Sequence, residues 1–363
     1  MDPIKQYPRQ STRIHMDAIL ADSAADQIYR MNLNESPLGP SPKVVAAIRM
    51  AAVGVGQYPP MGDERLREAM AQVYGRGLTS DHFFTSLSGY EAIELAARTF
   101  LRPGDEMIIC HPTFGIYGKV AALELATAVD VPLTVPDFLP DVDAILQAIN
   151  AKTRAILLCN PNNPTGTMMP AADFDRLMAN LPDNVLVIAD DVYNHFVTSD
   201  DYPDVIQHIL DGKNIIRIQT FSKAYGMAGL RMGFGIAKPE LANAVAGLHR
   251  GFHQNRINMA AGIAALLDQD HLKANVKAAL DGKQYIYDQL DRLDVAYIPS
   301  QTNFLIVEFG RPVDSLVTLL KKQYGVLVKA QALPGIEHGL RVSTSVPAGN
   351  EAFIAGVEVW LKG

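Results

Sequence analysis

Short apolar runs recur along the first two thirds of the chain, separated by stretches in which apolar positions repeat at helical spacing. The runs are Phe83 to Leu87, Met107-Ile108-Ile109, Ala155-Ile156-Leu157-Leu158, Val185 to Ala189 and Ile215-Ile216. Helix-like stretches such as Glu91 to Phe100 and Ala171 to Leu181 lie between most of them. Asp63 to Tyr74 sets Leu66, Met70 and Val73 on one helical face. Ser41 before Pro42 predicts a capped helix start, with Val44, Val45 and Ile48 following. Runs this short, alternating with helices, predict buried strands of a mostly parallel sheet covered on both faces.

The pattern changes after about residue 245. It predicts one long helix from Met259 to Leu293, a strand over Phe304 to Phe309 and a helix over Val313 to Tyr324. Short strands at Val326 to Val328 and Leu340 to Ser343 follow, then a closing helix over Asn350 to Leu361. This reads as a smaller α+β domain. The expected division is 1–40, an arm rich in turn formers that contributes to the small domain; 41–245, a large domain; and 246–363, the small domain.

Composition narrows the class. The 363 residues suit about two domains. With 48% hydrophobic and 20% charged residues, disorder, collagen and coiled coil are excluded as the main theme. The net charge of −7 argues against a nucleic-acid partner. The first residues carry no apolar signal region, and no run approaches the roughly 18 apolar residues of a membrane span. The expectation is a soluble cytoplasmic protein. Cys110 and Cys159 each end an apolar run and read as buried free thiols, too few for a disulfide framework or a cysteine zinc site.

In a parallel α/β sheet, ligands sit beyond the C-terminal strand ends, so chemistry is sought there. Ser88-Gly89-Tyr90-Glu91 is a small-residue turn entering a helix, suited to a phosphate and equally to an ordinary capped turn. No GxGxxG or Walker lysine motif is present at that turn. Phe114, in His111 to Tyr117, could cover a flat cofactor or simply pack. Asn160-Pro161-Asn162-Asn163-Pro164-Thr165-Gly166 makes a rigid turn that crowds three amides where a ligand would sit. Asp190, Asp191 and Tyr193 end another apolar strand, where a buried carboxylate is costly unless it meets a cation. Lys223, among small residues and hydroxyls, lies eight positions before Arg231. His249 and His253 have the spacing of a helical metal pair, but no glutamate follows His249 and no third ligand is evident, so no metal is expected. Arg250 and Arg256 nearby could meet an anionic substrate.

In this order, Thr220 to Arg231 (TFSKAYGMAGLR), NPNNPTG and Asp190 to Tyr193 resemble the fold-type I aminotransferases, which depend on pyridoxal 5'-phosphate. Asn32 to Pro40, Gln57-Tyr58-Pro59 and Leu66-Arg67 resemble the histidinol-phosphate aminotransferase branch. The resemblance covers nearly the whole chain. It implies an aspartate-aminotransferase-like α/β fold, with a mostly parallel seven-stranded sheet between helices and a smaller α+β domain. It implies Lys223 as the Schiff-base and proton-shuttling residue, Asp190 on the pyridine nitrogen, and Asn163 and Tyr193 on the ring hydroxyl. Phe114 would stack on the ring, while Ser88, Gly89, Tyr90, Thr220, Ser222 and Arg231 would hold the phosphate. Tyr58 would reach the phosphate of a neighbouring subunit, which implies a homodimer. Asn34, Arg341 and Lys329 would meet the substrate, with Lys329 standing where the branch typically has arginine. The implied partners are an amino donor, histidinol phosphate favoured, and a 2-oxo acid such as 2-oxoglutarate. An aminotransferase for another, aromatic amino acid and a decarboxylase of the threonine-phosphate type are the alternatives.

Overall fold

The computed structural model describes residues 27–363, so most of the arm expected over 1–40 lies outside the described residues. In chain order the elements are β1 (Tyr29–Arg30), α1 (Pro42–Ala52), α2 (Glu64–Tyr74), β2 (Phe83–Ser86), α3 (Gly89–Phe100), β3 (Glu106–His111), α4 (Tyr117–Leu123), β4 (Thr127–Pro132) and α5 (Val142–Ala148). They continue with β5 (Thr153–Cys159), α6 (Ala171–Asn180), β6 (Leu186–Asp190), α7 (Val205–Leu210), β7 (Ile215–Thr220), β8 (Gly233–Ala237) and α8 (Pro239–Ala246). The last part comprises α9 (Arg256–Leu267), α10 (Gln269–Arg292), β9 (Ala296–Ile298), β10 (Phe304–Glu308), α11 (Asp314–Tyr324), β11 (Val326–Leu327), β12 (Lys329–Ala330), β13 (Gly339–Ser343) and α12 (Pro347–Lys362).

The large sheet has seven strands in the order β2-β8-β7-β6-β5-β3-β4. All neighbours are parallel except β8, which runs antiparallel to both β2 and β7. All but one of the short apolar runs form its centre, β2 lying at one end: β6 is buried along its whole length, and so is β7 despite Arg217. Alternate residues of one strand face opposite sides, so Ile156 and Val187 join one apolar cluster while Leu157 and Ile188 join the other. The sheet therefore separates two helical layers, as runs without polar alternation require.

A four-stranded antiparallel sheet, β12-β13-β10-β9, carries a third core around Ile286, Leu305, Leu316, Leu340 and Phe353. β1 pairs in parallel with β11, and Met31 enters this third core. The long helix expected from Met259 to Leu293 is instead two helices, α9 and α10, broken at Asp268. The reason is tertiary. Asp268 is buried and accepts from Ser41 Oγ and from Lys43 Nζ at 2.7 Å, so its backbone leaves the helix to meet the start of α1. Ser41 caps that helix as expected, accepting from the Lys43 amide at 3.0 Å.

Candidate active site

The carboxyl ends of β5, β6 and β7 and the turn after β2 bring most of the expected residues together. β6 delivers Asp190, and the chain just beyond delivers Tyr193; both are buried. β7 delivers Thr220, followed by Ser222 and the partly buried Lys223. The turn after β5 delivers Asn163. Ser88 caps α3 by accepting from the Glu91 amide at 3.0 Å, so the first turn of that helix opens beside β7.

The turn is held close to its neighbours. A Cβ on Gly233 would lie 2.3 Å from the Ser88 carbonyl carbon and 2.4 Å from the Gly89 nitrogen, so β8 must carry glycine there. A Cβ on Gly89 would meet Thr220 at 3.5 Å. Thr220 Oγ1 accepts from the Ser222 amide at 3.1 Å, and Arg231 reaches Ser222 Oγ at 3.5 Å. Arg231 itself sits in the left-handed region at φ +53°, a strained setting for a side chain. Tyr90 follows Gly89 on the helix and is 38% exposed.

A second group lies on the small-sheet side. Asn34, also left-handed at φ +56° and buried, donates to Tyr193 Oη at 2.9 Å. Ser343 Oγ donates to Asn34 Oδ1 and accepts from the Asn34 amide, both at 2.9 Å. Arg341 is buried and donates to Asn163 Oδ1 at 2.6 Å and to the Asn32 carbonyl at 2.8 Å. Its Nε, together with Asn32 Oδ1, Asn303 Oδ1 and Asp190 Oδ1, is buried without a hydrogen-bond partner. Buried polar atoms are ordinarily paired, so this concentration of unpaired ones marks a place built for a ligand. Lys329, exposed on β12, lies opposite Arg341 in the β12–β13 register.

The electrostatics follow from burial. Lys223 donates to the Leu33 carbonyl at 3.0 Å and stands 5.6 Å from the Tyr193 ring centroid. Burial first, and Arg341 second, push its ammonium down to about 8. Burial pushes the Asp190 carboxyl up to about 6 against the Tyr117 hydroxyl and the Val192 amide, which favour its charged form. Burial lowers the Arg341 guanidinium, while partial desolvation of the otherwise exposed Lys329 and the Arg341 charge beside it lower the Lys329 ammonium.

Sequence reasoning gave no role to Tyr117, which is fully buried and donates to Asp190 Oδ2 at 2.6 Å. Its only signal was position, three residues after Phe114, whose ring meets Tyr117 edge-on at 5.9 Å. It also missed the buried pair of Arg217 with Asp191 behind the site, which the charge inside β7 could have flagged. Cys159, in register with Asp190, is only partly buried, unlike Cys110; both are free thiols.

Tyr58 has other partners. It is 81% exposed, its ring lies 4.9 Å from Phe252, and its carbonyl accepts from Arg256 at 3.0 Å. His249 and His253 are not on a helix; Gly247, Gly251 and Phe252 at φ +64° break the chain between α8 and α9. They do have a third neighbour, Asp63, with ligand atoms within 4.8 Å of one another, which corrects the expectation that none exists. The two rings stack at 3.9 Å and 20°. Asp63 is already engaged by Arg67 at 2.8 Å and by Thr85 at 2.5 Å.

A profile of the family "Aminotransferase class I and II" matches residues 26–355. The histidinol-phosphate aminotransferase of Symbiobacterium thermophilum is 36% identical over 335 residues, covering 92% of this chain and 91% of that protein. Among solved structures, the histidinol-phosphate aminotransferase of Sinorhizobium meliloti in complex with pyridoxal-5'-phosphate superposes with a TM-score of 0.88 at 26% identity, covering 100% of this chain and 97% of that one. An aspartate aminotransferase double mutant of Thermus thermophilus, 22% identical, shares the fold with a TM-score of 0.79, covering 100% of this chain and 99% of that one. With lysine, aspartate, asparagine and arginine gathered where the strands end, and with a profile match over nearly its whole length, the chain belongs to the class I and II aminotransferases.

Proposed function

We propose that this aminotransferase holds pyridoxal 5'-phosphate and moves an amino group from histidinol phosphate to a 2-oxo acid such as 2-oxoglutarate. The observation that carries the cofactor is Asp190: a buried carboxylate with one oxygen unpartnered, in need of a cation such as a protonated ring nitrogen. The other residues fit the same group. Ser88, Gly89, Tyr90, Thr220, Ser222 and Arg231 would hold its phosphate, Phe114 would cover the ring, and Asn163 and Tyr193 would meet the ring hydroxyl. When bound, pyridoxal phosphate supplies an aldehyde carbon for amines to join and a ring that takes up electron density from the substrate carbon.

Lys223 acts as the covalent anchor and then as the base. With its ammonium at about 8, a useful fraction is neutral near pH 7.5 and can take a proton from the substrate carbon. Asp190 keeps its negative charge against the ring. Arg341, with Lys329 and Asn34, orients the anionic end of the substrate, and two unlike cations there suit a phosphate. The relatives that match over most of this chain are histidinol-phosphate aminotransferases, which supports that donor.

We further propose a cytoplasmic homodimer with the division 1–40, 41–245 and 246–363. An apolar groove of about 530 Å³, lined by Ala47, Met50, Val53, Pro60, Met259 and Ile263, adjoins the exposed Tyr58 segment and supports a second copy there. The two free thiols suit a reducing compartment. The deciding experiment offers the cofactor-loaded protein histidinol phosphate, histidinol and an aromatic amino acid, each with 2-oxoglutarate, and measures glutamate. Glutamate from histidinol phosphate is expected. Glutamate from the aromatic amino acid alone would replace this donor. Carbon dioxide released from threonine phosphate, offered without an acceptor, would replace the reaction.

A further inference from the structure

Lys283, on α10, is 5% exposed, and the only influence that shifts its ammonium is burial, which lowers it to about 8. No carboxylate pairs with it among the described residues. Its Nζ instead donates to two backbone carbonyls, Ser300 at 2.6 Å and Thr302 at 2.9 Å. An uncompensated buried cation is costly, and a methionine would fill the same space without that cost. What the lysine adds is a fixed orientation for two carbonyls of one short stretch, residues 300–304, that links β9 to the first residue of β10.

That stretch touches both halves of the active site. The Gln301 amide donates to the Gly166 carbonyl at 2.8 Å, three residues from Asn163. Gly166 adopts φ +78°, and a Cβ there would come within 2.4 Å of Ser300 Oγ, so the stretch lies hard against the asparagine turn. Gln301 Oε1 accepts from the Thr198 amide at 2.8 Å. Asn303 donates to the carbonyls of Asn34 and Glu35, both at 3.2 Å. The Phe304 ring meets Tyr193 edge-on at 5.3 Å and lies 5.4 Å from the Arg341 guanidinium. Asn34, Tyr193, Asn163 and Arg341 are thus all braced by five residues whose backbone Lys283 pins from behind.

We propose that Lys283 is a positioning residue for the substrate end of the site, acting through residues 300–304 on Asn34, Tyr193 and Arg341. Its effect falls on substrate binding rather than on the phosphate turn or Lys223, which it does not touch. The proposal rests on the site assignment given above but not on the identity of the donor.

The test compares wild type with Lys283→Met, using whichever amino donor the wild type converts. Amide hydrogen exchange is followed in peptides covering 299–305 and 186–190. Pinning by a charged donor predicts that the first peptide exchanges about tenfold faster in the variant while the second is unchanged. The KM for the donor should rise about tenfold, with kcat within about threefold. If Lys283→Met does not fold, Lys283→Gln, which keeps a donor on a shorter stem, takes its place. Unchanged exchange over 299–305 would show that Lys283 does not pin the stretch. Faster exchange with an unchanged KM would show that the pinning does not reach the substrate. A wild type that never accepts histidinol phosphate would remove the proposed donor and leave this test intact with another.

Discussion

The Tyr117 hydroxyl donates to Asp190 Oδ2 at 2.6 Å, while Asp190 Oδ1, equally buried, has no partner. The carboxylate is thereby held with one oxygen satisfied and the other presented. The phenol also favours the charged form against burial, which pushes the carboxyl up to about 6. Affinity of the cofactor-free chain for pyridoxal phosphate should therefore fall as pH drops through about 6, where Asp190 takes up its proton. Tyr117→Phe removes an interaction that lowers this pKa, so the inflection should move upward, with affinity at pH 7 about tenfold weaker. Asp190→Asn should lose the inflection and most of the transamination rate. Cofactor titrations between pH 5 and pH 8 check this; an inflection unmoved by Tyr117→Phe would remove the phenol from the role.

Lys223 has its ammonium pushed down by burial and by Arg341, so its neutral form grows as pH rises through about 8. Covalent capture of pyridoxal phosphate by the cofactor-free chain should accelerate over that range and then level off. Lys223→Ala should lose both the visible absorbance of the loaded enzyme and cofactor fixation by borohydride. A borohydride adduct in the variant would place the anchor elsewhere.

Arg341 already spends two donors on Asn163 and Asn32 and keeps Nε unpaired. Arg341→Ala should raise the donor KM by about one to two decades, the loss of a charge-assisted bond, while pyridoxal phosphate affinity changes far less. Lys329→Ala should impair histidinol phosphate more than histidinol. Equal losses on both would take the phosphate away from Lys329.

The exposed Tyr58 is backed by Phe252 and Arg256 next to the apolar groove. If it completes a partner's site, mixing inactive Lys223→Ala with impaired Tyr58→Phe should restore activity above either parent, because one site of each hybrid carries neither defect. Sedimentation as a monomer under assay conditions would defeat this outcome.

Local pattern was enough for β2, β3, β5, β6 and β7 and for the residues at their ends; β4, interrupted by polar residues, and β8, interrupted by glycines, carried no such run. Short apolar runs alternating with helices read as strands buried on both faces, and ligand chemistry gathers just past their C-terminal ends. Asp190, Asn163, Thr220 and Lys223 were therefore readable as neighbours. The sequence also carried the Ser41 cap, since capping acts within three residues. Its order of motifs carried the family.

Relationships between distant residues were not readable, because periodicity says which face a side chain takes but not what meets it. The break at Asp268 exists because Ser41 and Lys43 lie across from it, more than two hundred residues away in the chain. The Tyr117–Asp190 bond joins the start of α4, the helix after β3, to the end of β6, and β3 and β6 are not adjacent in the sheet. Asp63 joins the two histidines only because the turn before α2 folds onto the turn before α9. The small sheet delivers Arg341 to Asn163 across 178 residues. The sequence by itself determined most of the strands, the chemistry at their ends and the family. Which donor faces which acceptor was decided by tertiary packing, because burial makes each unpaired polar group costly and only the assembled fold supplies its partner.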